Sequence, residues 1–158
     1  MRLELTAFTR RGAALAVRLA EELTRRGHQA ACTRGPGASA ADWTAQAFGR
    51  AQGLIFVGAA GIAVRSIAPH LRHKSTDPAV VVVDEGGQFA IPILSGHLGG
   101  ANDLAREIAA LMGGQAVITT ATDVNGAFAV DQWARAQGLA VCNPEKIVDV
   151  SSALLEGK

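Results

Sequence analysis

The chain has 158 residues, a net charge of +1 and an apolar fraction of 49%, which fits one compact domain with its own core. No apolar run approaches the roughly 20 residues that cross a bilayer, no signal segment begins the chain, and near-neutral charge with 4% aromatic residues and no Tyr disfavours nucleic acid and membranes as partners. Two cysteines without a metal or redox spacing predict free, buried thiols in a soluble cytoplasmic protein.

The first half of the chain alternates strand-like and helix-like stretches. In chain order it predicts a strand at 3–8, a helix at 11–26, a strand at 28–33, a turn at Gly35-Pro36-Gly37 and a helix at 39–50. Leucines recur at helical spacing along residues 11–26, and Ser39 caps the second helix, which turns Trp43 and Phe48 inward.

The second half continues the alternation up to residue 119. The predicted elements are a buried strand at 53–57, a glycine turn at 58–61, a helix at 62–70, a strand at 79–84, a hairpin turn at 85–87, a return strand at 88–93, a loop at 95–100, a helix at 101–112 and a strand at 116–119. Because helices of ten or more residues separate most strands, we expect an α/β fold with a doubly wound, mostly parallel sheet and helices on both faces, of the Rossmann or flavodoxin type.

The last 40 residues follow a different pattern. They predict a polar loop at 120–126, a helix at 128–137, a strand at 141–143 and a helix at 145–155. We therefore expect an N-terminal α/β domain at 1–118, followed at 119–158 by a linker and the truncated start of a middle domain.

The first segment with functional potential is the glycine turn that joins the buried strand to a helix. Gly58 and Gly61 direct backbone N–H groups and the positive end of a helix dipole toward one point, and Arg65 follows about one turn later. This arrangement indicates a site for a carboxylate or phosphate. The alternative is a tight turn whose glycines only permit close packing. Neither a dinucleotide fingerprint nor a P-loop is present.

The second segment, residues 95–103, is richer in polar groups. Ser95, His97, Asn102 and Asp103 lie within nine positions among three glycines, which favours a functional loop at a helix start. We expect the two helix starts to meet at one rim of the sheet, so that Arg65 and His97 share a cleft that grips carboxylates.

Three further sets of residues are weaker candidates for a functional site. Lys74 can point over a strand edge, whereas Arg72 and His73 fit a solvated basic face. The carboxylates of residues 84 and 85 follow a buried strand, where they suit either acid–base chemistry or turn formation. The acidic residues between 123 and 131 are out of register for a calcium loop.

The same segments carry a family resemblance. Gly61 to Pro69, Lys74 to Glu85, Leu94 to Asn102, Ala121 to Gly126 and Asp131 to Trp133 follow one another in the order found in the cobalt-precorrin-5A hydrolases of anaerobic cobalamin biosynthesis. The chain resembles that family well over roughly residues 50–145 and more loosely before them.

The resemblance implies an enzyme that opens the lactone of cobalt-precorrin-5A, a ring-contracted cobalt tetrapyrrole, with release of acetaldehyde to give cobalt-precorrin-5B. The cobalt belongs to the substrate, so neither a protein metal site nor a cofactor is expected. Because family members continue into a further C-terminal domain, we expect a fragment or one subunit of a split enzyme. Its partners would then be the remaining domain or subunit, or a second copy in a homodimer.

Within that reaction, His97 is the predicted base that activates water, with Asp103 and Glu85 as alternatives and Ser95 as a rival nucleophile. The amides of the two glycines before residue 101 would stabilise the oxyanion. The predicted substrate-binding residues are Gly58, Gly61, Arg65, Lys74, Ser95, Gly96, Gly99, Gly100 and Asn102.

Two other functions remain open from the sequence. In the first function, the chain would bind and present the tetrapyrrole without performing chemistry. In the other, it is a flavodoxin-like module for a flavin, a nucleotide or another anion.

Overall fold

A computed structural model describes residues 1–34 and 39–157, and the predicted turn at Gly35-Pro36-Gly37 lies outside them. The strands are β1 (Arg2–Ala7), β2 (Gln29–Arg34), β3 (Gly53–Val57), β4 (Ala79–Val83), β5 (Phe89–Leu94) and β6 (Gln115–Ala116). The helices are α1 (Arg10–Arg25), α2 (Ala40–Ala47), α3 (Ala60–Ile67), α4 (Ala101–Met112), α5 (Ala121–Val124), α6 (Val130–Ala136) and α7 (Ile147–Leu155).

The strands form one sheet in the order β2-β1-β3-β4-β5-β6. Strands β1 to β4 are parallel, β5 is antiparallel to β4, and β6 is parallel to β5. The α/β fold with a mostly parallel sheet is therefore confirmed, as is the hairpin at residues 85–87.

Apolar alternation along the central strands builds a core on each face of the sheet. Ile55 and Val57 pack with α1 and α4, and Leu54 and Phe56 pack with α2 and α3. On the second face the rings of Trp43 and Phe56 meet edge to face at 5.3 Å. Helices therefore cover both faces, as predicted.

The antiparallel hairpin divides the loops between two opposite edges of the sheet. The Gly58 amide donates to the Val83 carbonyl (2.8 Å) at the carboxyl end of β4, which we call the Gly58 edge. The Ser95 hydroxyl donates to the Asp77 carbonyl (2.9 Å) just before β4 begins, which we call the Ser95 edge. About six extended residues, roughly 20 Å, separate the two edges. The expectation of a single rim is therefore wrong.

Residues 119–157 pack mainly through helices. The predicted polar loop contains the short helix α5. The strand predicted at 141–143 does not form, because these residues do not pair with the sheet and instead precede a 3₁₀ turn at Pro144–Lys146. The division of the chain at residue 118 stays a prediction.

Two further expectations, on membrane-spanning helices and on the cysteines, can be compared with the structure. None of the helices in the described ranges is long and apolar enough to cross a membrane. Cys142 is a free and exposed thiol, so the expectation of buried thiols is wrong for that residue, and Cys32 is half-buried.

Candidate functional site

A cleft of about 510 Å³ opens at the Ser95 edge, within the size range of small-molecule sites. Its walls come from the end of β5 and the loop after it, from residues 119–122, and from α6 and α7. Its polar lining includes Lys74, Ser95, Gly96, His97, Asn102, Thr122 and Asp131, and its apolar walls include Ile93, Leu94, Ile147 and Leu155.

The loop between β5 and α4 is folded tightly on itself. Ser95 has a φ of 57°, a left-handed conformation that is uncommon outside glycine and that often marks functional sites. A Cβ at Gly96 would lie 2.8 Å from the Asn102 Oδ1, and one at Gly99 would collide with the Ser95 side chain. These glycines therefore allow the loop to close around the polar residues of the cleft.

The first amides of α4 are already used within the loop. Gly100 N–H donates to the His97 carbonyl (3.0 Å), Ala101 N–H to the Ser95 carbonyl (3.1 Å), and Asn102 N–H to the Gly96 carbonyl (3.0 Å). The Gly100 amide is thus already hydrogen-bonded within the turn, and the expectation that it is available to stabilise an oxyanion is wrong. Neither Gly99 nor Gly100 lines the cleft.

His97 is held between two carboxylates. Its Nε2 lies 2.7 Å from Asp123 Oδ2, and its Nδ1 lies 3.3 Å from Asp131 Oδ1. The hydrogen bond to Asp131 raises the pKa of His97, burial lowers it, and the bond to Asp123 raises it again, giving a value of about 9. At neutral pH the ring is therefore mainly an imidazolium, which is not the protonation state of a base.

The Asp123 carboxylate joins the loop to the segment after residue 119. Asn102, only 1% exposed, donates from Nδ2 to Asp123 Oδ2 (3.0 Å) and to Thr120 Oγ1 (2.8 Å), while Arg106 pairs with Asp123 Oδ1. Burial opposes ionisation of Asp123, but His97 and Arg106 outweigh it and lower its pKa. Asp123 is therefore a carboxylate with both oxygens engaged.

Asp103 lies outside the cleft lining. Its half-exposed carboxylate accepts hydrogen bonds from Arg135 (2.9 Å), Arg106 (3.1 Å) and Gln132 (3.2 Å). These contacts fasten α4 to α6, so the geometry gives Asp103 a structural position.

Two other predicted residues do line the cleft. Lys74 is exposed and lies at its rim. The Ser95 hydroxyl also lines it, but donates to the Asp77 carbonyl, a contact that does not activate a nucleophile.

The remaining predicted residues lie at the other edge of the sheet. Glu85 accepts a hydrogen bond from Thr9 (2.6 Å), and Arg65 and Gly61 are exposed on α3, outside the cleft lining. A Cβ at Gly58 would meet the Phe8 ring at 2.6 Å, which supports the close-packing alternative for that glycine.

Asp84, beside Glu85, serves the hairpin turn. Its carboxylate accepts hydrogen bonds from the amides of Gly86, Gln88 and Phe89. Turn formation, one of the two roles predicted for this residue, is therefore the one that the structure shows.

Sequence reasoning from individual residues missed the contribution of the segment after residue 119. Thr120, Thr122, Asp123 and Asp131 supply one side of the polar network. For Thr122, Asp123 and Asp131, the available signal was their presence in the family motifs. Among residues 1–34 and 39–157, no set of three His, Cys, Asp or Glu side chains is arranged to hold a metal ion.

Comparison with known proteins identifies relatives of the segment that builds this cleft. The family model described as Cobalamin synthesis G N-terminal matches residues 42–123. A cobalt-precorrin-5A hydrolase of Salmonella typhimurium is 57% identical over 89 residues, which are 56% of this chain and 25% of the relative. One of Priestia megaterium is 45% identical over 104 residues, which are 66% of this chain and 28% of the relative. The chain thus spans about a quarter of the length of these curated relatives.

A solved structure extends the similarity to nearly the whole chain. The crystal structure of a cobalamin biosynthesis protein G homologue from Sulfolobus solfataricus superposes with a TM-score of 0.65 and 25% sequence identity. The match covers 99% of this chain and 47% of that one, so the arrangement after residue 119 has a counterpart in an experimental structure.

Proposed function

Because the chain belongs to the Cobalamin synthesis G N-terminal family, we propose that it acts in the hydrolysis of cobalt-precorrin-5A, opening the lactone and releasing acetaldehyde to give cobalt-precorrin-5B. The observation that carries the proposal is the convergence of two separate segments on one cleft. Residues 95–102 and 120–131 meet there through His97, Asn102 and Asp123.

The lining of the cleft suits a tetrapyrrole that carries acetate and propionate groups. Ile93, Leu94 and Ile147 provide apolar surface for the macrocycle edge, and Lys74 at the rim provides a cation for a carboxylate. The cobalt is part of the substrate in this proposal, and the protein brings no cofactor of its own.

Lactone hydrolysis requires a group that takes a proton from water and positive charge near the developing oxyanion. The imidazolium of His97 has both ring nitrogens against carboxylates, Asp123 and Asp131, so its charge is balanced within the network. We assign His97 a positioning role in place of the base role predicted from the sequence.

The proposal also covers the setting of the reaction. The free, exposed thiol of Cys142 suits a reducing compartment, and we place the protein in the cytoplasm on that basis. A partner contributed by the rest of a longer protein, or by a second copy, is compatible with the proposal and is not required by it.

The function is tested by assaying acetaldehyde release from cobalt-precorrin-5A by the full-length protein. Lys74→Ala should raise the KM several-fold and change kcat less, because it removes a cation that binds a substrate carboxylate and leaves the hydrogen bonds around His97 intact. Arg65→Ala, the matched loss of an exposed cation at the opposite edge, should leave both constants unchanged.

Two results would count against this assignment. Tight substrate binding by the wild-type protein without acetaldehyde release would favour a presenting role over catalysis. A larger effect of Arg65→Ala than of Lys74→Ala would move the substrate to the Gly58 edge.

A further inference from the structure

We propose that Asp131 is the general base of the hydrolysis and that its Oδ2 takes the proton from the attacking water. This inference rests on the proposed function, and it assigns a step that His97 cannot perform while it is protonated. Asp131 is the second residue of α6 and lies in the wall of the cleft.

The surroundings of Asp131 leave one of its oxygens for a water molecule. The residue is 6% exposed. Among residues 1–34 and 39–157, its polar contacts with other residues fall on Oδ1, which lies 3.3 Å from His97 Nδ1 and accepts from the Gln132 amide at 3.0 Å. A buried carboxylate on a cleft wall normally has all its acceptor sites satisfied. A water on Oδ2 meets that requirement and would stand in the cleft.

The charge state of Asp131 suits the role. Burial acts to raise its pKa, but the hydrogen bond and charge of His97 outweigh burial and lower it. The carboxylate is therefore in its basic form across the neutral range. His97 holds Oδ1, and with it the orientation of the whole carboxylate, so His97 is a positioning residue.

The other carboxylates near the cleft are committed elsewhere. Asp123 uses Oδ1 for Arg106 and Oδ2 for His97 and Asn102. Asp77 accepts from the Arg72 amide with both oxygens (3.2 and 3.0 Å). Within the described ranges, these engagements leave Asp131 as the buried carboxylate of the cleft lining with an oxygen to offer.

The proposed step balances without any further reactant. Water loses a proton to Asp131 Oδ2 while its oxygen bonds to the lactone carbonyl carbon, and the displaced electron pair moves to the carbonyl oxygen. When that pair returns, the ester C–O bond breaks and its electrons pass to the former ring oxygen. As that oxygen becomes the carbonyl oxygen of acetaldehyde, the C–C bond between the two-carbon fragment and the macrocycle breaks. Its electrons stay with the macrocycle, which takes the proton from Asp131 and returns that residue to its carboxylate form.

The test compares two single substitutions of the full-length protein in the acetaldehyde assay. Asp131→Asn should lower kcat at least about 100-fold, the usual contribution of a general base, with the KM little changed. Asp123→Asn removes the other carboxylate partner of His97 and should cost less than about tenfold. External formate should restore part of the activity of Asp131→Ala, which a purely structural role would not allow.

The dependence of rate on pH separates Asp131 from His97 as the base. His97 faces Asp123, Asp131 and Thr122, with Arg106 behind Asp123. If Asp131 is the base, kcat/KM should be flat between pH 6 and 8. If His97 were the base, kcat/KM would rise about tenfold with each pH unit over the same range.

Two outcomes would overturn the inference. An Asp131→Asn enzyme within about threefold of the wild-type rate would remove Asp131 from catalysis and leave the proposed function standing. Absence of acetaldehyde release from the wild-type enzyme would overturn both the role of Asp131 and the proposed function. Thermal melts of each variant show whether a loss of activity comes from unfolding.

Discussion

Protonated His97 ties the loop of residues 95–100 to the segment that follows residue 119. Its two ring nitrogens face Asp123 and Asp131, which come from different elements. Because these groups are largely buried, their attraction is screened less than that of surface ion pairs. The same contacts that hold the cleft together therefore make its stability depend on pH.

The free energy of unfolding should fall as pH rises from about 6.5 to beyond 9. The folded pKa of His97, about 9, lies above its ordinary value of 6.5, so its contribution is complete below pH 6.5 and is lost as pH rises through 9. The loss should reach at most about 3 kcal/mol. Denaturant titrations at several pH values measure it.

The carboxylates of the network set the acid limit of the pH range in which it stabilises the fold. The pKa values of Asp123 and Asp131 are lowered, so their contribution is present above about pH 4 and is lost as pH falls below that value. His97→Asn should flatten the alkaline decline, and His73→Asn, at an exposed histidine, should not. An unchanged decline in His97→Asn would contradict the account.

At the scale of elements, the start of α4 depends on Gly100. This residue has a φ of 84°, and a Cβ there would collide with the guanidinium of Arg135 on α6. The missing side chain therefore lets Arg135 reach Asp103 (2.9 Å) and fastens α6 beside the cleft.

Gly100→Ala should destabilise the protein by about 1–2 kcal/mol, because a left-handed backbone is unfavourable for alanine and Arg135 must move. Gly61→Ala is the matched control: this glycine is exposed in α3 with open space around its Cβ position. That substitution should leave stability unchanged or raise it by up to about 1 kcal/mol. Equal effects of the two substitutions on thermal unfolding would count against this account.

The elements themselves were largely predictable from local patterns. Leucine spacing along α1 and Ser39 as the cap of α2 are short-range signals, and the structure has the corresponding helices. The strand expected at 141–143 failed because pairing depends on distant partners. The hairpin at 85–87 was predictable, but the expectation of one shared rim conflicts with it, because a return strand places the loop that follows it at the opposite edge of the sheet.

At the scale of the whole molecule, that reversal determines where the cleft lies. Ligands of doubly wound sheets usually bind at the carboxyl ends of the parallel strands, which here is the Gly58 edge. The cleft is instead at the Ser95 edge, because β5 and β6 run against β4 and direct their carboxyl ends there.

The candidate site was only half predictable for the same reason. Ser95, His97 and Asn102 were identified from their density in one loop, and all three line the cleft. Asp123 and Asp131 approach His97 from 26 and 34 positions away, through contacts that only the folded chain creates. Arg65 and Glu85 were misplaced because a linear reading does not reveal which edge a loop occupies.

Amide hydrogen exchange with and without the proposed substrate, cobalt-precorrin-5A, tests most directly whether this molecule binds at the Ser95 edge. Substrate should slow exchange in residues 94–102 and 119–131 and leave residues 58–65 unchanged. Protection confined to residues 58–65, with no change in the loop that carries His97, would contradict the account.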